Sequence, residues 1–339
     1  MRVLLLQLVR GLGPRRGGTG VSGAGGARGI LIASLASACG CDCVFCGLPD
    51  TKPHSVLPRE VLITALERPP DGDRWEEVNI TGGDPLVIPA ARRLFPALLA
   101  RRSRFEQLSV SSAGIPAKPA LAGLAALDDG LPIDVYVSLD GVGEVHDRVR
   151  RRKGAFAQVS EFLREARCRD NLRIALTCVI NRLNIDDLDE LADYADAEGL
   201  PVSYAVVNKS DHYINSQPLF RDVSLRSEHI DQAVDFLTRR SGQRLDDDLQ
   251  RVLYGRPREL PCRLLHNGVL VTSDGTMSIC GTSKQMVLAD ALPAGDLPAS
   301  WDLALARRPR LLESGVAQTC QTCTTNCFAW RNSDGPAPA

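Results

Sequence analysis

The chain has 339 residues, of which 44% are hydrophobic and 24% are charged, and its formal net charge is −1. This composition is typical of a globular protein of one large or two smaller domains, with enough apolar side chains for a buried core. A charge so close to zero gives no argument for a nucleic-acid or membrane partner. No stretch approaches the roughly 20 consecutive apolar residues of a membrane span, so the sequence predicts a soluble, cytoplasmic protein.

The two ends of the chain read as segments without a fold of their own. The short apolar run in "MRVLLLQLV" is followed by a Gly- and Arg-rich segment that lacks the longer apolar core and the clear cleavage site of a signal peptide. We expect residues 1–28 to form a flexible leader. Residues 334–339, which are rich in Pro and Ala, are expected to be disordered.

Between residues 29 and 207, short apolar strands alternate with helical patterns. The predicted strands are 29–34, 76–81, 107–114, 133–141, 172–180 and 201–207. The predicted helices are 58–68, 88–102 with an interruption at Pro96, 118–127, 155–167 and 184–199. This alternation predicts an α/β fold, a parallel sheet curved into a partial (β/α)6 TIM-like barrel.

In such barrels the chemistry lies at the C-terminal ends of the strands. Polar or Gly-rich turns follow four of the predicted strands, and we expect them to converge on one pocket. These turns are a Cys-rich loop after the first strand, Gly82-Gly83-Asp84, Ser111-Ser112 and Ser138-Leu139-Asp140-Gly141.

The pattern changes after residue 225. Two helical stretches, 227–240 and 244–255, precede the segment 267–280, which reads as a strand, an Asp-Gly turn and a second strand. We therefore divide the chain into the leader (1–28), the barrel (29–225), a helical linker with a small Cys-rich module (226–333), and the tail (334–339).

Eleven cysteines are too few for a disulfide-stapled secreted scaffold of this length, and their clustering favours metal ligation. Cys39, Cys43 and Cys46 place three thiolates on one tight loop, with Cys41 between them. A structural zinc ion takes four ligands, usually as two separated pairs, whereas three thiolates would leave one iron of a [4Fe–4S] cluster open to a further ligand. The spacing favours the cluster about twofold over zinc and leaves both open. Cys168 and Cys178 stand apart, and we expect them to pack in the core.

Three motifs, in order, resemble the radical S-adenosylmethionine (SAM) superfamily. The first is the Cys39, Cys43 and Cys46 set with Phe45 before its last Cys, and the second is Gly82-Gly83-Asp84-Pro85, which is similar to that family's Gly-Gly-Glu motif. The third is "SLDGVGEVHDRVRRRKGAF" at 138–156, similar to the branch of the family that carries C-terminal auxiliary clusters. Cys41 departs from the family pattern, and we expect it to be a bystander.

The resemblance implies a set of cofactor-binding residues. Cys39, Cys43 and Cys46 would hold a [4Fe–4S] cluster whose open iron binds SAM, and Gly82, Gly83 and Asp84 would receive the methionine amino group. Phe45 would lie near the adenine, Ser138 and Asp140 near the ribose or carboxylate, and Arg150 would pair with the carboxylate. The alternative for Arg150 is a solvated position in the charged run "RVRRRK".

The resemblance also implies the reaction. An external one-electron donor of flavodoxin or ferredoxin type reduces the cluster, SAM is cleaved, and the 5′-deoxyadenosyl radical abstracts hydrogen from the substrate. The protein positions the attacked carbon and excludes solvent.

The second cysteine set is similar to the SPASM/twitch module of the same enzymes. Its members are Cys262, Cys280, Cys320, Cys323 and Cys327. The Cys-x(12)-Gly-x(4)-Cys half matches closely, whereas the full SPASM pattern is absent, so the resemblance implies the twitch form with one auxiliary [4Fe–4S] cluster. Zinc remains the alternative, and Cys327 is the uncertain fifth ligand. Such a cluster would accept an electron from a substrate radical or help to bind the substrate.

Three function hypotheses follow. The leading one is an enzyme that acts on a polar small molecule, such as a sugar, aminocyclitol or nucleoside precursor of a natural product, by dehydrogenation, dehydration, decarboxylation or epimerisation. Lys209, Asp211 and His212, after the sixth strand, are its candidate catalytic residues. The second is a maturase of a ribosomal peptide, disfavoured because residues 1–28 are too short for a peptide-binding domain. The third is a non-enzymatic iron–sulfur or zinc-binding protein.

Overall fold

The structure is a computed structural model that describes residues 29–208, 221–240, 244–259, 262–281, 283–292, 295–313 and 320–324. The strands are β1 (Ile30–Ser34), β2 (Trp75–Thr81), β3 (Phe105–Ser112), β4 (Ile133–Ser138), β5 (Leu172–Ile180), β6 (Val202–Val206), β7 (Gly268–Val271), β8 (Met277–Ser278) and β9 (Val287–Ala289). The helices are α1 (Arg59–Glu67), α2 (Pro89–Arg92), α3 (Phe95–Leu99), α4 (Ala117–Leu127), α5 (Glu144–Arg150), α6 (Ala155–Ala166), α7 (Leu188–Glu198), α8 (Ser227–Arg240), α9 (Arg244–Leu253), α10 (Arg263–Asn267), α11 (Leu297–Leu305) and α12 (Arg308–Leu311). Short 3-10 helices lie at Leu48–Asp50, Arg102–Arg104, Ile185–Asp187 and Lys284–Met286.

Strands β1 to β6 lie side by side in chain order, and every neighbouring pair among them is parallel. Right-handed crossovers between consecutive parallel strands place the connecting helices on one face of the sheet. The predicted partial barrel of parallel strands and helices is confirmed.

The core lies between the sheet and these helices. Alternate residues of the strands, such as Leu108 and Val110 of β3, are fully buried, because successive side chains of a strand point to opposite faces. Helix α6 meets them with the buried stripe Ala155, Val159, Phe162, Leu163 and Ala166, at the spacing of a helix that buries one face.

The C-terminal part of the chain contacts both edge strands of the six-stranded sheet. Strand β7 pairs in parallel with β1, and β8 and β9 continue the sheet in antiparallel order, which confirms the predicted hairpin. At the other edge, the Thr324 hydroxyl donates to the Val206 carbonyl at 2.9 Å, and the Val206 N–H donates to the Thr324 carbonyl at 3.2 Å. The sheet thus crosses the predicted boundary at residues 225–226, and the division into domains stays a prediction.

Three local features differ from the sequence-based expectations. The helix predicted over 88–102 is interrupted as expected, but the break comes before Pro96, which lies in the first turn of α3, where a residue without an N–H is tolerated. Helix α5 was not predicted. Cys178 is buried as expected, but Cys168 is exposed, because α6 ends at Ala166 and Cys168 lies off its buried stripe.

In the described part of the chain, every helix is too short or too polar to cross a bilayer.

Candidate functional site

The N-terminal thiols lie on the loop that follows β1. Cys41 and Cys43 are buried, and Cys39 and Cys46 are half-buried. The Cys46 N–H donates to the Cys43 carbonyl at 3.0 Å, and the Val44 N–H donates to Val149 of α5 at 2.9 Å. These bonds hold the loop in a tight turn at the C-terminal edge of the sheet.

The side chains of these thiols lie close enough for each to affect the pKa of the others. Burial, the carboxylate of Asp84 and the Cys43 thiolate raise the pKa of Cys39 to about 12, and burial and Cys43 raise the pKa of Cys46 to about 12. A hydrogen bond with the Cys41 thiol and the nearby guanidinium of Arg150 lower the pKa of Cys43 to about 6. Three thiols that repel one another as anions are a donor set that a positively charged iron centre would stabilise.

The turn after β2 lies against the thiol loop. The Gly83 N–H donates to the Ala36 carbonyl at 2.7 Å, and Gly82 has a φ of 128°, a conformation that glycine tolerates best. A Cβ on Gly83 would lie 1.7 Å from the Ala38 carbonyl oxygen and 3.0 Å from the Cys39 nitrogen. Only glycine therefore allows this approach of the two loops.

Asp84 joins the turn after β2 to the end of β3. Its carboxylate accepts hydrogen bonds from the Ser112 hydroxyl at 2.9 Å and from the backbone N–H groups of Ala113 at 2.9 Å and Leu86 at 3.1 Å. Burial raises the pKa of Asp84 to about 6, although these hydrogen bonds oppose the shift. The side chain thus fixes the glycine turn, while its predicted role toward the methionine amino group stays a prediction.

Arg150 is buried, which excludes the solvated alternative. Its guanidinium lies 2.6 Å from the Asp140 carboxylate and donates to the Cys43 sulfur at 3.3 Å, and it stacks over the Phe45 ring at 5.9 Å. Burial opposes the charge on Arg150, but Asp140 and the thiolate outweigh it and raise its pKa. The predicted pairings of Arg150 and Asp140 with SAM, and of Phe45 with the adenine, stay predictions, as does that of Ser138, the half-buried last residue of β4.

Two residues position this ion pair and were not assigned a role from the sequence. The Asp140 N–H donates to Nδ1 of the buried His146 at 3.1 Å, and Asn184 donates to the Asp140 carbonyl at 2.9 Å. Burial and the charge of Arg150 hold the pKa of His146 well below its usual range, so the ring is neutral. The sequence motif around His146 could have drawn attention to that residue, but a motif does not show which atoms form hydrogen bonds.

The face of the sheet opposite the helices carries a polar layer. Asn79 Nδ2 donates to the Ser109 hydroxyl at 2.8 Å, and that hydroxyl donates to Glu77 at 2.5 Å. Asp134 of the adjacent strand accepts hydrogen bonds from Gln107 and Arg173. Lys209, Asp211 and His212, the candidate catalytic residues, lie outside the described residues.

The C-terminal thiols Cys262, Cys280, Cys320 and Cys323 also lie near one another. Burial and the charges of the other thiolates raise the pKa of Cys262 to about 11 and that of Cys320 to about 12. Within the described ranges, no group of three or more His, Cys, Asp or Glu side chains is placed to hold a single metal ion. The predicted ligand Cys327 lies outside these ranges.

Residues 34–195 match the model of the Radical SAM superfamily. The chain carries a radical SAM domain. The mycofactocin maturase MftC of Mycobacterium tuberculosis is 27% identical over 274 residues, which cover 79% of this chain and 63% of that protein. The GTP 3′,8-cyclase 2 of Pseudomonas aeruginosa is 28% identical over 180 residues, or 51% of this chain and 52% of that protein.

The fold is also similar to that of a solved structure with bound S-adenosylmethionine. SuiB of Streptococcus suis bound to S-adenosylmethionine superposes with a TM-score of 0.57 at 15% identity, covering 88% of this chain and 72% of that chain. The region that matches the family model runs from the last residue of β1 into α7, and the family implies a [4Fe–4S] cluster and SAM as cofactors. The matched part of the chain spans 52% of the length of the cyclase and 63% of the length of the maturase. The similarity therefore does not assign the activity of either protein to this chain.

Proposed function

We propose that the chain is a radical SAM enzyme whose SAM-binding [4Fe–4S] cluster is held by Cys39, Cys43 and Cys46. The observation that carries the proposal is the convergence of these three thiols with the Gly82-Gly83 turn at the C-terminal edge of the sheet. The residues fit the group, because three thiols lie together where a positively charged iron centre would stabilise their ionised forms, and because a Cβ on Gly83 would displace the backbone at Cys39. When bound, the cluster and SAM supply a 5′-deoxyadenosyl radical that abstracts hydrogen from the substrate.

The protein's own residues prepare this site. Arg150 donates a hydrogen bond to the Cys43 sulfur and offsets part of the thiolate charge, and Asp140 holds the guanidinium in place. Asp84 fixes the glycine turn through the end of β3. Because these polar side chains are buried, solvent screens their charges little.

For the substrate, we propose a polar small molecule that carries hydroxyl groups, such as a sugar, aminocyclitol or nucleoside. The polar layer around Glu77, Asn79 and Ser109 supports this, because apolar side chains would line a cavity for an apolar substrate. Burial raises the pKa of Glu77, so this carboxyl is a candidate to hydrogen-bond a hydroxyl or to take up a proton.

We propose a ribosomal peptide as the second candidate substrate. The match to the maturase MftC, which covers 79% of this chain and so extends beyond the radical SAM domain, favours it. Both proposed reactions use the same cofactor-binding residues and differ only in the substrate that enters the barrel.

We further propose an auxiliary [4Fe–4S] cluster at Cys262, Cys280, Cys320 and Cys323. The effect of each thiolate on the pKa values of its neighbours supports this site. Two four-iron clusters require about eight iron atoms per chain. Anaerobically reconstituted protein should hold that amount, and the triple variant Cys39→Ala, Cys43→Ala, Cys46→Ala should hold about half of it and lose SAM cleavage. A wild-type content of about four iron atoms would refute the auxiliary cluster, and full SAM cleavage by the triple variant would refute the main proposal.

The substrate class is tested with an extract of the source cells. The extract is divided by ultrafiltration into small molecules and peptides, and each fraction is added to enzyme, SAM and dithionite. We expect the small-molecule fraction to increase 5′-deoxyadenosine formation, and protease treatment of the fraction to leave that increase intact. An increase only with the peptide fraction, abolished by protease, would favour the maturase. The triple variant is the control, because its response should be zero with every fraction.

A further inference from the structure

A second buried Asp–Arg pair lies beside the C-terminal thiols. Arg258 Nε lies 2.8 Å from the Asp248 carboxylate, and the two side chains are 6% and 2% exposed. The other carboxylate oxygen of Asp248 accepts the Glu259 N–H at 2.6 Å. Since water hardly reaches either group, solvent screens these two charges much less than it screens a surface ion pair.

Arg258 is bound to the segment that carries two of the thiols. Its backbone N–H donates to the Gln321 carbonyl at 3.0 Å, and its Nη1 donates to the Cys323 carbonyl at 3.4 Å. Arg258 thus both fixes this segment and places a permanent positive charge beside Cys323.

We propose that Arg258, held by Asp248, is a positioning residue for the iron–sulfur cluster at the C-terminal thiols and that its charge raises the reduction potential of that cluster. The inference rests on the proposed auxiliary cluster. Reduction adds one negative charge to a thiolate-ligated centre, so a fixed cation nearby stabilises the reduced form more than the oxidised form. Asp248 orients the cation and offsets part of its effect.

The arrangement occurs twice among the residues that the structure describes. At the N-terminal thiols, Arg150 lies 2.6 Å from Asp140, with side chains 7% and 0% exposed, and donates to Cys43. Two segments without sequence similarity thus place a buried guanidinium, fixed by a buried carboxylate, beside each cysteine set. The repetition favours a role for the charge over an incidental core ion pair, since a buried pair by itself contributes little to stability.

The test uses the full chain with Cys39, Cys43 and Cys46 changed to Ala, so that only the C-terminal thiols bind iron. Iron content is measured first, and the potential is then followed by electron paramagnetic resonance during a redox titration. Arg258→Gln should lower the equilibrium constant for one-electron reduction about tenfold, or by about 59 mV. Asp248→Asn should raise it by a similar factor, because it leaves the cation uncompensated. Arg258→Lys should keep the potential close to that of the parent.

Arg256→Gln is the matched control, because Arg256 is exposed and lies two positions before Arg258. It should leave the potential unchanged, since solvent screens its charge. If Arg258 had a purely structural role, the variants would lose iron but their reduction potentials would not shift in opposite directions. A lower potential in Arg258→Gln and a higher potential in Asp248→Asn are therefore the diagnostic result.

The outcomes separate the two proposals. If the triple-Ala background holds no iron, the auxiliary cluster is refuted and this inference falls with it. If it holds iron and the potentials of Arg258→Gln and Asp248→Asn equal that of the parent, the auxiliary cluster stands and the inference is overturned. If Arg258→Gln loses its iron, the test depends on Asp248→Asn alone. A reduction potential of Asp248→Asn that is not higher than that of the parent then overturns the inference. Loss of iron from both variants overturns the role of the charge.

Discussion

Substitution of Gly83 by Ala should disrupt the N-terminal thiol loop. The added Cβ would lie 1.7 Å from the Ala38 carbonyl oxygen, 2.4 Å from the Ala38 carbonyl carbon and 3.0 Å from the Cys39 nitrogen. Carbon and oxygen atoms in contact are normally about 3.3 to 3.6 Å apart, so the two loops must separate by more than about 1.5 Å. All three atoms belong to the backbone, so no side-chain rotation relieves the overlap.

Two effects of this substitution are expected. Overpacking in a buried region costs about 1 to 3 kcal/mol of the free energy of unfolding, and we expect the upper end, because backbone must move. Since the displaced residue precedes Cys39, the variant should also lose about four of the eight iron atoms that two clusters would contain. Iron and sulfide analysis after anaerobic reconstitution measures the second effect, and urea unfolding measures the first.

Gly295→Ala is the matched control for Gly83→Ala. Gly295 has no atom within 4 Å of an added Cβ, so its substitution should leave iron content and stability unchanged. If Gly83→Ala holds as much iron as Gly295→Ala and unfolds within about 0.5 kcal/mol of it, the close approach of the two loops is wrong.

Three further predictions concern single side chains. Burial raises the pKa of Asp84 from about 3.9 to about 6. The contribution of Asp84 to the free energy of unfolding is therefore complete below about pH 4, and it falls by about 3 kcal/mol as the pH rises through 6. The difference in the free energy of unfolding between wild type and Asp84→Asn, from urea titrations across this range, should show that fall, and a flat difference would contradict the shift. Trp301 is fully buried and donates to a backbone carbonyl at 2.9 Å, so Trp301→Ala should cost about 3 to 5 kcal/mol by thermal or urea unfolding. Leu303→Ala on the same helix should cost almost nothing, because Leu303 is 64% exposed, and equal losses would refute the packing. Cys168→Ser should keep the full iron content, since the thiol is exposed and lies in neither cysteine set, whereas loss of iron would show that Cys168 is a ligand.

Local sequence patterns predicted much of the fold. Strands such as β5 and helices such as α6 were predicted at nearly their observed bounds. Burial of one face of a strand or helix makes apolar residues recur along the sequence with the period of that element. The end of α7 at Gly199, with a φ of 66°, was equally visible, since glycine is the residue that adopts this conformation at low cost.

The thiols of the candidate site were also visible in the sequence, because three ligands on one loop depend on spacing alone. Their partners were not. From the sequence, Arg150 could equally be a solvated residue. In the fold it is buried and donates a hydrogen bond to the sulfur of Cys43, which lies 107 positions earlier in the chain. The sequence also did not show that the Asp84 carboxylate binds the end of β3.

The sequence by itself determined the order of strands and helices, the position of the first thiol set and the presence of a hairpin near the second. Only the tertiary structure decided that β7 extends the sheet at β1, that Cys168 lies outside the core, and that each thiol set has a buried Asp–Arg pair beside it. The physical reason is distance along the chain. Periodicity and ligand spacing act within a few residues, whereas the charge and burial of a side chain depend on which distant strand ends and loops pack against it.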